Sequence, residues 1–142
     1  MRIIKNISFY LGLSLLANSI SILLESNFLA DFLRKDLMII LITLLAINTA
    51  TSGLLISSIK ELAKTDIDRF QKSVREIKVS IVEQISLIIF STVALILQDS
   101  AILQSLIPYH NLIFSSLLCA AFIYSIEILW DTGMAIFMIL KS

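Results

Sequence analysis

Three carboxylates fall where lipid would penalise them. Glu83, Glu127 and Asp131 each lie inside or at the edge of a long apolar run. An ionisable group in that setting is held by a partner or handles a proton or a cation. Glu127 and Asp131 are four residues apart, on one face of a helix, where they repel unless a cation, a proton or a basic residue comes between them. No basic residue lies deep in any apolar run, so an ion pair at mid-membrane is not expected. Three readings stay open: interfacial carboxylates reached by Lys78, Arg75 or water at the headgroups, an acidic ring at a cation pathway, or a proton relay. Two amides within the apolar runs, Asn18 and Asn48, complete the set of candidate pore-lining or interhelical groups.

Other chemistry finds no residues to carry it. There is no Gly-rich phosphate loop, no Cys/His metal spacing and no Ser/His/Asp set, so neither an enzyme nor a cofactor is expected. The single cysteine, Cys119, sits in an apolar run and reads as a small buried residue. The lone His110, in a connecting loop, reads as solvated or interfacial. Net charge is zero, so no global field recruits nucleic acid.

The elements that position these groups follow from composition. Of 142 residues, 58% are apolar and only 15% charged, with a mean hydropathy of +0.95. Soluble domains have about 45–50% apolar and about 25% charged residues. A water-soluble core of this size could not hide the excess, so the bilayer is the expected solvent. The fold class is an all-α membrane protein, with residues 1–142 forming a single four-helix transmembrane domain. The spans are expected at about 7–24, 37–59, 79–97 and 112–132, each near the roughly 20 helical residues that cross a hydrocarbon core. The first run follows Arg2 and Lys5 like a signal peptide, but it reaches spanning length and no small-x-small cleavage site follows, so it reads as a retained span.

Orientation follows from the basic residues. Arg2, Lys5, Lys60, Lys64, Arg69, Lys72, Arg75, Lys78 and Lys141 fall on one side, and Arg34 and Lys35 on the other. Both termini are expected in the cytosol, in a bacterial inner membrane. The Glu25–Asp36 connection, with Phe28, Leu29, Phe32 and Leu33 among its charges, predicts a short amphipathic helix at the outer interface. Tyr109 predicts an aromatic anchor at headgroup level.

The most informative segment is Lys60–Ile81. Thr65 and Asp68 resemble a capping box that would start a helix at Asp66. Ala63, Ile67, Phe70, Val74, Ile77 and Ile81 then alternate in steps of four and three, the seam of a coiled coil. With no Gly or Pro before Leu97, the third helix should be about 32 residues and roughly 48 Å long. The fourth run, Leu112 to Leu140, is also longer than a bilayer needs. Helices three and four are therefore expected to extend into the cytosol as an antiparallel hairpin, over about 66–78 and 133–140. Its exposed surface (Ile67, Arg69, Phe70, Lys72, Val74 and Arg75) would dock a cytosolic protein or hold anionic headgroups.

Polar residues recur on one face of each span. Ser14, Asn18, Ser21 and Glu25 make a stripe on the first; Asn48, Thr51 and Ser58 lie near one face of the second. The third carries Ser80, Glu83, Gln84 and Ser91, and the fourth Ser116, Tyr124, Glu127 and Asp131. Such stripes turn towards other helices or water. They serve as interhelical glue, as the lining of a path between assembled copies, or as a ligand site.

In span count, size and a cytosolic hairpin, the whole chain resembles the small four-span membrane subunits of bacterial anti-phage systems such as Kiwa. The resemblance lies in architecture, with no motif behind it. It implies a non-enzymatic, homo-oligomeric scaffold or sensor that works beside a cytosolic protein. The alternative is an oligomeric, cation-preferring pore, and the third a small-cation carrier, against which the scarcity of Gly and Pro argues.

Overall fold

The computed structural model describes residues 2–62 and 67–140, with side chains described for residues 8–57, 67, 71 and 73–134. The described chain is helical, in the order α1 (Arg2–Leu23), α2 (Phe28–Lys35), α3 (Leu37–Leu62), α4 (Ile67–Gln98), α5 (Ala101–Leu106) and α6 (His110–Leu140). Three stretches are long and apolar enough to cross a membrane: Leu37–Ser57, Ser73–Gln98 and His110–Met134. That is the architecture of a helical membrane protein. In α1 the described apolar stretch, Ser8–Leu23, is shorter, although all 22 residues of the helix would measure about 33 Å.

Polarity is arranged inside out. Ser14, Asn48 and Ser91 are fully buried, whereas Ile89, Ile96 and Trp130 are each more than 60% exposed. In water this would forfeit the hydrophobic term that drives folding. In hydrocarbon it is the favourable arrangement, because apolar side chains meet lipid and polar ones find each other.

α6 sits at the centre and packs against α1, α3 and α4, while α3 also packs against α4. Gln98 at the end of α4 meets Ser115 near the start of α6, and Ser80 near the start of α4 meets Thr132 far along α6. The two helices are therefore antiparallel. Their lengths, 32 and 31 residues, match the long third and fourth helices expected from the absence of breakers. The capping box at Thr65 falls on residues 63–66, outside the described residues.

The short helices close the end opposite the α3–α4 connection. α1 stops in a Schellman motif: Ser26 N–H reaches Ser21 O at 2.9 Å and Glu25 N–H reaches Ile22 O at 3.0 Å. Glu25 takes the left-handed position (φ 51°) that glycine usually fills. The predicted amphipathic helix at Glu25–Asp36 is α2, which buries Leu33 and leaves Phe28 and Arg34 exposed. Its Arg34 pairs with Asp99, just past α4. Beneath it, Leu33, Leu37, Leu41, Ala94, Leu118 and Cys119 form the main apolar cluster. Cys119 is buried there, as expected of a small packing residue. α5 was not foreseen; its residues read in sequence as a plain loop.

Candidate functional site

Two polar assemblies lie within this frame. The first is a seam where α3, α4 and α6 cross. Asn48 on α3 is fully buried, and its Nδ2 donates to Ser80 Oγ and to Gln84 Oε1 of α4, both at 2.9 Å. Thr132 Oγ1 on α6 gives its proton to Ile128 O at 3.0 Å. In the 3.2 Å contact between Ser80 and Thr132, Ser80 must then be the donor. The result is a directed chain from Asn48 through Ser80 and Thr132 to a backbone carbonyl, linking three helices.

The seam continues along α4 in steps of seven. Ile77, Gln84, Ser91 and Gln98 are all buried, which keeps them on one stripe of a supercoiled helix. At the far end Gln98 Nε2 lies 3.2 Å from Ser115 Oγ. His110 Nε2 lies 3.1 Å from Leu97 O, with the ring 4.8 Å from that of Phe114. His110 is thus buried at the root of α6, and its reading as a solvated or interfacial residue is corrected. Tyr109 takes a left-handed conformation (φ 63°) that swings its own ring outward and turns the next residue into the bundle. The sequence placed both in one loop and could not show that reversal.

The second assembly joins α1, α4 and α6. The Tyr10 hydroxyl of α1 donates to Glu127 Oε2 of α6, and the Tyr10 and Tyr124 rings lie 5.7 Å apart. Glu83 of α4 lies beside the Tyr124 hydroxyl. Of the three carboxylates singled out in sequence, Glu127 therefore meets Tyr10 and Glu83 lies beside Tyr124. Glu83 and Glu127 are half-buried and Asp131 is exposed. Tyr10 was missed; its sign was the spacing Tyr10, Ser14, Asn18, one turn apart on the polar stripe of α1.

The remaining candidates scatter. Asn18 is buried on α1, where its Nδ2 bonds back to Ser14 O at 2.9 Å, apart from Asn48. Thr49 and Thr51 return their hydroxyls to carbonyls four residues back, and the inward residue beside Asn48 is Ser52. Of the docking residues, Ile67 and Arg75 are exposed and Val74 is half-buried. Arg69, Phe70 and Lys72 lie on the α4 backbone, with side chains outside the described residues.

Chemically, the seam holds helices through neutral hydrogen bonds. The tyrosine–carboxylate cluster could bind protons or cations. Among the described residues, no group of three or more His, Cys, Asp or Glu is placed to hold a metal ion. Comparison of the chain with protein-family models, with curated proteins and with solved structures finds no match in any of the three.

Proposed function

We propose that the chain is a non-enzymatic membrane subunit that assembles with copies of itself and docks a cytosolic protein. In this reading α1, α3, α4 and α6 all span an inner membrane, with both termini in the cytosol. One observation carries it: α4 and α6 run antiparallel over 32 and 31 residues, roughly 47 Å each at about 1.5 Å per residue. A hydrocarbon core is about 30 Å thick, which leaves some 15–18 Å of each helix beyond it. The six basic residues from Lys60 to Lys78 favour the cytosol for that end, with Phe70 and Val74 as apolar anchors and Arg69, Lys72 and Arg75 as charged guides.

The test is native mass spectrometry of the detergent-extracted protein from its own host, for the wild type and Phe70→Asp. A defined oligomer that carries a soluble protein, lost in Phe70→Asp, is the expected result. Unchanged partner binding by the variant would sink the docking surface.

A second reading has its own support in the tyrosine–carboxylate cluster. An oligomeric, cation-preferring pore would use Glu83, Glu127 and Asp131 at its mouth. Glu127→Gln and Asp131→Asn should then change conductance in planar bilayers, whereas a scaffold tolerates both.

A further inference from the structure

The α3–α4–α6 crossing leaves three polar groups without a partner, and their chemistry is complementary. Asn48 uses both Nδ2 protons, on Ser80 and Gln84, which leaves Asn48 Oδ1 buried with no hydrogen bond. Gln84 accepts at Oε1 and is left with Nε2 unpaired. Ser52 Oγ, one turn beyond Asn48 on the same face of α3, is also unpaired. All three residues are 2% exposed or less. The set therefore comprises one acceptor, one donor and one hydroxyl that can do either.

Antiparallel register puts the three together. Asn48 pairs with Gln84, and Leu55 packs on Ile77. Ser52, between Asn48 and Leu55, thus falls beside Ser80, between Gln84 and Ile77. A buried unpaired polar group costs about 1–3 kcal/mol, and three at one crossing would be a heavy penalty unless something small answers them. A water molecule satisfies such a set, since internal waters typically make about three hydrogen bonds to buried polar groups.

We propose that this crossing is a binding site for one water molecule, which donates to Asn48 Oδ1, accepts from Gln84 Nε2 and takes Ser52 Oγ as its third partner. Leu41, Ala94 and Leu118 pack in one apolar cluster between this site and the polar groups at Gln98 and His110. The water is therefore shut off from that end. It belongs to the fold of the single chain and does not depend on the docking or the pore reading.

The experiment is water-to-protein nuclear Overhauser spectroscopy on the full chain in detergent micelles, with Gln and Asn side-chain amides labelled with nitrogen-15. The Gln84 Nε2 signal is assigned by its loss in Gln84→Met. A water cross-peak to the Gln84 amide, with the sign of a long-lived contact, is expected in the wild type. It should persist in Ser52→Ala, which removes a hydroxyl and keeps the space, and vanish in Ser52→Val, which fills the space. A wild-type spectrum with the Gln84 signal resolved and no water cross-peak overturns the proposal. A cross-peak lost in Ser52→Ala was relayed by the hydroxyl, and one undiminished in a folded Ser52→Val comes from elsewhere; either overturns it too. If Ser52→Val does not fold, the wild-type and Ser52→Ala spectra decide.

Discussion

Replacing Asn48 by leucine should destabilise the bundle more than the loss of one packing contact would. Asn48 makes two interhelical hydrogen bonds of ordinary length, to Ser80 and Gln84. Such bonds inside membrane proteins contribute about 0.6 kcal/mol on average and up to about 1.7, so losing both removes about 1–3 kcal/mol. Gln84→Leu breaks one of the same two and leaves half of Asn48 unsatisfied, a loss of about 1–2 kcal/mol. The double variant is the informative one. With both amides gone no donor or acceptor is stranded between them, so the double variant should lose less than the sum of the two single losses, a coupling of about 0.6–1.7 kcal/mol. The assay is reversible unfolding in mixed micelles against the mole fraction of a denaturing detergent, followed by far-ultraviolet circular dichroism and by the single tryptophan, Trp130. Strict additivity, with coupling below about 0.3 kcal/mol, would mean that Asn48 and Gln84 do not meet.

Three further outcomes follow from the same geometry. Ser91 is buried with an unpaired hydroxyl, so Ser91→Ala should leave stability unchanged or raise it by up to about 1 kcal/mol; a loss in the same assay would reveal a partner for Ser91. Tyr10→Phe removes the donor to Glu127 and should lower stability by about 1 kcal/mol, below the range for a fully buried bond to a charged group because Glu127 is only half-buried. That loss should shrink in Glu127→Gln, and an equal loss in both backgrounds would refute the pairing. Trp130 is 67% exposed on α6, and in vesicles its fluorescence should be quenched strongly by lipids brominated on their acyl chains; undiminished emission at the wavelength of a hydrated indole would contradict a lipid-facing position.

What was legible in sequence was whatever a single helix encodes by itself. The run without Gly or Pro up to Leu97 implied one long helix, and α4 is one. Phe28, Leu29, Phe32 and Leu33 among charges implied a short amphipathic helix, and α2 is one. Ser14 and Asn18 on one stripe implied an inward face, and both are buried. Which residues of different helices meet was illegible. Nothing in the Glu127 or Glu83 neighbourhoods points to Tyr10, more than seventy residues away, because that contact is set by how α1 leans on α6. His110 was misjudged for a related reason. Loop composition is polar on average, but one left-handed residue at Tyr109 is enough to turn the next side chain inward.

The seven-residue steps of the α4 seam have a consequence for how the bundle finds its alignment. A helix whose inward residues recur at Ile77, Gln84, Ser91 and Gln98 can slide by one repeat, about 10.5 Å, and still turn the same face inward. Apolar helices in lipid gain little from one alignment over another, since lipid tails replace any lost contact. The choice therefore falls to the positions where the repeat is uneven. A slip would bring Ser91 opposite Asn48, where a short hydroxymethyl cannot span the distance that the Gln84 side chain covers, and would carry Ala94 out of its apolar cluster. Asn48 and Gln84 thus act as a matched pair of different reach, and exchanging the two side chains should leave composition intact while making the bundle settle in more than one alignment.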